Sequence, residues 1–417
     1  MQIYCIFDKP STIFQKILFK KKNMMEALIF GAKRTPIGSF GGILSSLKAT
    51  ELGAKAIEGL FLENCPAKEE IQELYMGNVL SANLGQAPAR QAALGAGLKH
   101  HVVCTTVNKV CASGMKSAQL AAMSVQTGYN DWVIAGGMES MSQVPHYIPS
   151  LRWGTKYGDT GIRDGLSKDG LTDAYQGVAM GTCGDATAVT YHFSREEQDQ
   201  FAIASYQRTA AATEKGYFES EIVPIHLPEK KGGSMVVRED EEFRKVDFSK
   251  IPLLKPAFSP DGTVTAANAS TLNDGASAIL IGSKHAGEKA GIKPLGRIVS
   301  FADAEVAPEF FTIAPIKAAP LALNKAGLTW KDISYVEVNE AFSIVPLVFA
   351  KTFSIPTDQL NVWGGSVSMG HPLGSSGSRI LVTLIHILRR NGGGYGLAAI
   401  CNGGGGASAM VVEVFPS

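Results

Sequence analysis

Thr106-Val107-Asn108-Lys109-Val110-Cys111-Ala112-Ser113-Gly114-Met115 is the stretch on which the reading of this chain turns. A short β-branched run leads into a cysteine, then small residues, then apolar positions at Met115, Ala118, Ala122 and Val125. That spacing marks one face of a helix, and Gly128 suits the residue just past its end. Cys111 therefore stands where a strand turns into a helix, with its sulfur at the helix N-terminus. Unpaired N–H groups and the positive end of the helix dipole favour a thiolate there. A free thiol, with a pKa near ~8.5, is only a few per cent ionised at pH 7. A small buried hydrophobe is the other reading of such a cysteine.

Around this stretch, strands and helices alternate. Ala27 to Ala32 reads as a buried strand, Leu47 to Leu62 as a helix, Glu73 to Val79 as a strand and Pro88 to Leu94 as a helix. Asp131 to Gly137, directly after the Cys111 helix, reads as another buried strand. Such alternation predicts an α/β layered domain. Ser140 to Asn273 breaks the rhythm with Gly, Ser, Thr and charge. Within it, Ser194-Arg195-Glu196-Glu197 has the form of a capping box opening a helix through Ala212, and the charged run Arg238 to Lys245 reads as a solvated edge. The segment predicts an insertion that covers the core.

The alternation then returns. Ala276 to Gly282, Leu295 to Ala302, Tyr335 to Val338, Gly396 to Cys401 and Ala409 to Val414 read as strands, with Ala319 to Ala326 helical. Leu381, Leu384, Ile385 and Leu388 mark a helix ending in Arg389, Arg390 and Gly392. Strand, reactive residue at a turn, helix, strand: the second half repeats the first coarsely, which predicts a duplicated α/β core. The expected division is an N-terminal extension over 1–25, a first half over 26–140 returning at 273–296, an inserted loop domain over 141–272, and a second half over 297–417.

Composition sets bounds. The chain has 417 residues, 45% hydrophobic and 18% charged, with net charge +1. It is long enough for a large core and two or three domains. So even a balance gives no electrostatic case for nucleic acid or an anionic membrane surface. Cys5, Cys65, Cys104, Cys111, Cys183 and Cys401 include no CxxC pair, so neither zinc nor a disulfide framework is indicated. Met1 to Asn23 holds Asp8 against Lys9, Lys16 and Lys20-Lys21-Lys22, with Phe14, Ile17, Leu18 and Phe19 apolar. A mitochondrial transit peptide and a solvated basic tail both fit, and Met24-Met25 offers an alternative start for a cytoplasmic form. The apolar run is too short for a membrane span.

Two further groups suit chemistry. His371 stands in Gly370-His371-Pro372-Leu373-Gly374, on backbone that can approach a ligand closely. Cys401 ends a buried strand and precedes Asn402 and four glycines, whose N–H groups suit an anion. One cysteine as nucleophile, a histidine to take its proton and a second cysteine to shuttle another would suit acyl transfer.

Cys111 in Asn-Lys-Val-Cys-Ala-Ser-Gly-Met, Asn339 in Asn-Glu-Ala-Phe, His371 in Gly-His-Pro-Leu-Gly and Cys401 in Cys-Asn-Gly-Gly-Gly-Gly resemble the signature blocks of the thiolases, in the family's order. The likeness runs from about Glu26 to the C-terminus. It implies a duplicated five-layered αβαβα core with an inserted loop domain, and acyl transfer between coenzyme A thioesters without a prosthetic group. Cys111 would carry the acyl group, His371 would deprotonate it, and Cys401 would act as acid and base toward the second substrate. Asn339, through a water, and His371 would hold one thioester oxygen; the N–H groups of Cys111 and Gly403 would hold the other.

Within the family, Thr263 to Ser270, Lys245 to Lys250 and the Gly-rich C-terminus resemble the mitochondrial acetoacetyl-CoA subgroup. That likeness implies reversible condensation of two acetyl-CoA into acetoacetyl-CoA and coenzyme A, and a mitochondrial location. Tyr206, Lys245, Val246, Asp247, Lys250 and Ser270 would contact coenzyme A. Tyr206 and the carbonyls of Ala266, Ala267, Ala269 and Val367 resemble the subgroup's potassium site. Gly137 to Ser142 resembles the segment that goes with homotetramers, and Phe311 the residue that goes with 2-methyl acceptance. Lys245 for arginine, Ala179 for histidine, Gly184-Asp185-Ala186 for Ala-Glu-Asn, Trp363, and Thr312 for proline are departures. Pro346 would break a helix unless it lies in the first turn. The rivals are a longer-chain 3-ketoacyl-CoA thiolase, a decarboxylating ketoacyl synthase, which would pair its cysteine with two histidines, and an inactive thiolase-like binding or scaffold protein.

Overall fold

The computed structural model describes residues 25–62, 65–228 and 233–416. The transit-peptide and basic-tail readings of Met1 to Asn23 lie outside the described residues. The first half contains β1 (Ala27–Arg34), α1 (Ala49–Gly59), β2 (Glu73–Gly77), α2 (Pro88–Gly95), β3 (Val103–Val107), α3 (Ser113–Gln126) and β4 (Trp132–Ser140). The intervening segment carries α4 (Met180–Tyr191) and α5 (Arg195–Glu214), and β5 (Asn273–Gly282) rejoins the first half. Then follow β6 (Gly296–Glu305), α6 (Pro315–Ala326), β7 (Ile333–Val338), α7 (Ile344–Phe353), α8 (Leu373–Arg390), β8 (Gly394–Asn402) and β9 (Gly406–Val414).

The first half-sheet runs β3-β2-β4-β5-β1, with β2 parallel to β3 and β4, and β5 antiparallel to β4 and β1. The second runs β7-β8-β9-β6, with β7 parallel to β8, and β9 antiparallel to β8 and β6. Among the described residues, its outer edge has the parallel bridge Val336–Leu360 where the first half has β3. The halves join where Ala27–Ile29 of β1 pairs antiparallel with Gly296–Ile298 of β6. Every residue of β4 and β5 is buried, which is why these strands read as continuous apolar runs rather than alternating ones.

α3 and α8 lie between the two half-sheets. Met115, Ala118 and Ala122 of α3 and Leu381, Leu384 and Leu388 of α8 share one core with Ala135 and Ile279 from one half-sheet and Ala398 and Ile400 from the other. α1 and α2 cover the far face of the first half-sheet, and α6 and α7 that of the second. The result is the five-layered order that the resemblance implied. The central helices touch backbone to backbone. A Cβ at Gly114 would lie 2.5 Å from Ser378 Oγ, and one at Gly377 would lie 2.5 Å from Met115 N. Only glycine allows that approach.

Two expectations meet their outcome here. Pro346 is the third residue of α7, in the first turn, where its missing N–H costs nothing. The run Arg238 to Lys245 is not a solvated edge throughout. Asp240 is buried and takes Arg34 in a two-pronged pair at 2.7 and 2.9 Å, while Arg34 Nε donates to Glu221 at 2.5 Å. A guanidinium buried at the end of β1 needs carboxylate partners, and the inserted segment supplies one of them from this run. Among the described residues, no helix is long and apolar enough to cross a membrane.

Candidate active site

The Cys111 turn is built by its neighbours. Val110 has φ of 47°, a left-handed conformation that a β-branched residue adopts only under constraint. Asn108 Oδ1 accepts from Val110 N at 3.0 Å. Ser113 Oγ accepts from Lys109 N at 2.8 Å and donates to the Val110 carbonyl at 2.5 Å. Cys111 is thereby presented just ahead of α3, which begins at Ser113. The expected thiolate is corrected. Burial pushes the thiol up to about 12, against the N–H groups of Gly403 and of Cys111 itself, which lower it. Loss of water between two half-sheets outweighs the helix end.

The second half supplies the partners. His371 N donates to Asn273 Oδ1 at 2.9 Å, and the ring Nδ1 lies 2.6 Å from Ser376 Oγ. Nε2 is buried without a partner. Burial, and then the Arg379 charge, pushes His371 down to about 3, so the ring is neutral and able to accept a proton at neutral pH. Cys401, fully buried near the end of β8, is raised by burial and by the nearby Cys111. Lys109 Nζ donates to Asn402 Oδ1 at 2.9 Å. This tie holds the β8–β9 turn against the Cys111 turn, so that the Gly403 N–H reaches the sulfur.

Cys111, His371, Gly403 and Ser270 line one pocket of about 140 Å³, with apolar walls from Leu171, Met180, Phe258, Phe311, Phe342 and Leu373. Phe258 and Phe311 stand edge-on to Phe342, with centroids 6.1 and 6.4 Å away. Asn339 and Cys401 are fully buried and do not line this pocket. Asn339 Oδ1 accepts from Ser366 Oγ at 2.6 Å, while its Nδ2 has no partner.

The residues expected at coenzyme A sort differently. Ser270 lines the pocket. Tyr206 is buried with Phe243 and Val367, has Val246 packed beside it and meets the Phe248 ring edge-on at 6.3 Å. Lys245 Nζ is engaged by Ser39 Oγ at 2.6 Å and Glu241 at 3.0 Å. Lys250 and Asp247 are exposed and pair at 3.0 Å. Of the expected potassium ligands, Ala267 and Ala269 are buried like Tyr206 and Val367, while Ala266 is exposed.

Sequence reasoning missed the pocket walls Leu171, Met180 and Phe258, and it missed Ser366 and Arg379. Arg379 shares its side of the helix with Ser375, Ser376, Thr383 and His386, so in sequence it looks like a solvated position. Sequence reasoning also missed Glu139, buried at the end of β4. Its carboxylate accepts from Val79 N at 3.1 Å, Asn78 Nδ2 at 2.8 Å and Gly374 N at 2.9 Å, joining the loop after β2 to the start of α8.

A buried thiol and a neutral imidazole with a free nitrogen share this pocket with a backbone N–H aimed at the sulfur. These are the parts of a cysteine-dependent acyl-transfer site. Comparison with known proteins gives the family. The model of the thiolase N-terminal domain matches residues 27–285, and that of the C-terminal domain matches 292–414. The chain belongs to the thiolase family. It is 52% identical over 394 residues to the mitochondrial acetyl-CoA acetyltransferase of Bos taurus, covering 94% of this chain and 92% of the relative. It is 51% identical over 392 residues to a probable acetyl-CoA acetyltransferase of Dictyostelium discoideum, covering 94% and 95%. The Acat5 thiolase from Ascaris suum, solved in complex with coenzyme A, matches with a TM-score of 0.87 at 41% identity, covering 94% of this chain and 100% of that one.

Proposed function

We propose that this chain is an acetyl-CoA C-acetyltransferase that joins two acetyl-CoA into acetoacetyl-CoA and coenzyme A, and runs the reverse thiolysis at the same site. The observation that carries the reading is the convergence of Cys111, His371 and Gly403 on one apolar pocket, with Cys401 beside them. His371 Nε2 takes the Cys111 proton as sulfur attacks the thioester carbonyl. The C–S bond to coenzyme A then breaks, Cys401 gives its thiol proton to the departing sulfur, and the acetyl group stays on Cys111. With both groups neutral at rest, the proton moves during attack rather than before it. The N–H groups of Cys111 and Gly403 stabilise the oxyanion of the bound acetyl group. Asn339, through a water, and the protonated His371 serve the second thioester's oxygen. Each such donor is worth on the order of 3–4 kcal/mol of barrier. Cys401, left as a thiolate by that proton transfer, removes a proton from the second acetyl group. The resulting enolate attacks the acetyl carbonyl, and the departing Cys111 sulfur takes its proton back from His371, the same steps running backwards in thiolysis.

The rings of Phe258, Phe311 and Phe342 favour short acyl chains over the longer-chain reading, and the retained thiol and imidazole speak against a scaffold. Cys401 speaks against a decarboxylating synthase. The test is thiolysis of 3-ketoacyl-CoA esters over a range of chain lengths, with mass spectrometry of the Cys111 peptide after acetyl-CoA. Absence of cleavage at every length would remove the reading.

Three finer points belong to the same proposal. Relatives at this identity carry mitochondrial names, which supports a mitochondrial location over a cytoplasmic one. A homotetramer is supported by apolar side chains left exposed around the hairpin of His146–Tyr147 and Arg163–Asp164, Trp153 and Tyr157 above all. Tyr206 and the carbonyls of Ala266, Ala267, Ala269 and Val367 would hold potassium, since neutral oxygens suit a weakly hydrated monovalent ion, and the ion would stiffen the coenzyme A side of the pocket. Equal rates in potassium and sodium chloride would dismiss this last point.

A further inference from the structure

Asn339 has its side-chain oxygen bonded and its Nδ2 buried with no partner. An orphaned amide nitrogen in a fully buried residue calls for an explanation. The hydrogen-bond chain leading to it supplies one. Arg379, at the core of α8, can only donate, and its Nη2 lies 3.1 Å from Ser366 Oγ. Among the described residues this is the guanidinium's one hydrogen bond. Its Nε and Nη1 have none, and Glu337 stands 3.9 Å away. Ser366 Oγ must therefore accept from Arg379, and its own proton is left for Asn339 at 2.6 Å. The group facing it must be the amide oxygen. Turning the amide over would leave both the Ser366 proton and the Asn339 oxygen without partners.

We propose that Ser366, held by Arg379, is a positioning residue that fixes the Asn339 amide with its Nδ2 free to donate to the water through which it would serve, with His371, the thioester oxygen. The inference rests on the acyl-transfer reading above. It assigns to one hydroxyl the choice between a donor and an acceptor facing that water. An amide oxygen there would take one of that water's protons and leave it a poorer donor to the developing negative charge. Because the Cys111 and Gly403 N–H groups serve the other oxygen, formation of the acetyl-enzyme is largely independent of Ser366, while the carbon–carbon step is not.

The experiment uses the full chain as wild type, Ser366→Ala, Asn339→Ala and the double variant. It measures kcat and KM for acetoacetyl-CoA thiolysis and the rate of Cys111 acetylation by acetyl-CoA. Ser366→Ala is expected to lower kcat roughly ten- to a hundredfold, part of what outright loss of the donor costs, with KM and the acetylation rate changed less than about threefold. Added to Asn339→Ala, it should cost nothing further, because a residue acting through another loses its effect when that other is gone. Ser366→Thr, which keeps a hydroxyl, should recover most of the rate. Should Ser366→Ala fold poorly by its melting temperature, Ser366→Cys, a weaker donor in the same place, takes over with a smaller loss and the same non-additivity. Wild-type kcat in these variants, an effect that multiplies with Asn339→Ala, or equal losses in acetylation and thiolysis would overturn the inference. A wild-type chain inactive on every 3-ketoacyl-CoA would overturn the acyl-transfer reading instead.

Discussion

Ser376 Oγ lies 2.6 Å from His371 Nδ1 and donates its own proton to the Pro372 carbonyl at 3.0 Å. With its proton so committed, the hydroxyl can only accept from the ring. His371 is therefore the Nδ1–H tautomer, with Nε2 bare. The serine decides which nitrogen is the base.

Replacing Ser376 with alanine frees the ring to take the other tautomer. The expected loss is about 1 kcal/mol, roughly fivefold in kcat/KM, with the melting temperature nearly unchanged. Steady-state kinetics beside a thermal melt checks it, and an unaltered kcat/KM would count against the tautomer assignment.

The two cysteines should fail differently. Cys111→Ala should lose turnover by on the order of 10⁴-fold or more and give no acetylated peptide. Cys401→Ala should still form the acetyl-enzyme from acetyl-CoA while losing condensation. Quench-flow mass spectrometry separates the two steps, and equal loss of both in Cys401→Ala would remove its separate role.

Stability should peak just below neutral pH. Burial raises Glu139 from 4.5 to about 7 and Glu337 from 4.5 to about 8. Between roughly pH 8.5 and 6.5 the folded chain thus takes up protons that the unfolded chain does not, and stability grows as pH falls. Below about 6.5 the sign is opposed by His371, lowered from 6.5 to about 3, and by His386, also lowered by burial. The unfolded chain binds protons that these buried rings refuse, so their contribution fades toward pH 3. The melting temperature should be higher at pH 6.5 than at 8.5, with a smaller difference in Glu139→Gln. A steady climb from 6.5 to 8.5 would contradict the assignment.

Substrate choice should run through Phe311. Its turn is pinned by the Thr312 and Thr187 hydroxyls 2.5 Å apart, a contact that takes the place of a proline's fixed φ. A methyl group admitted or refused is worth ~1–3 kcal/mol, roughly ten- to two-hundredfold. The wild type should cleave 2-methylacetoacetyl-CoA within that factor of acetoacetyl-CoA, and Phe311→Ala should shift the kcat/KM ratio toward longer or branched chains. An unmoved ratio would make Phe311 a packing residue only.

Assembly should depend on the exposed hairpin region. Trp153 is 86% and Tyr157 99% exposed in the single chain, more apolar surface than a lone chain gains from showing. Trp153→Ser with Tyr157→Ser should convert tetramers to dimers by light scattering while leaving thiolysis measurable. A stable wild-type monomer at micromolar concentration would reject the assembly.

The layered alternation, the Cys111 turn and the blocks around His371 and Cys401 were legible because each is local. What was not legible depended on what lay across the fold. The periodicity of α8 marks one apolar face, yet every residue from Leu373 to Leu388 is buried. Its other face, Gly374 to Ser378, looks polar in sequence and packs by smallness against α3. The protonation of Cys111 follows from two half-sheets closing over it, and the burial of Asp240 from Arg34, far away in sequence. Ser366 looks like any serine until Arg379 leaves its proton a single destination.

Cys111 belongs to the first repeat, whereas Asn339, His371, Cys401 and Gly403 all belong to the second, and Lys109–Asn402 spans the seam. Among the described residues, the halves pair along the sheet over Ala27–Ile29 and Gly296–Ile298. Neither half holds a workable set of groups by itself, so the two are obligate halves of one instrument. A chain severed between Gly291 and Leu295 should give two inert pieces whose re-docking alone restores turnover, so that activity itself reports assembly.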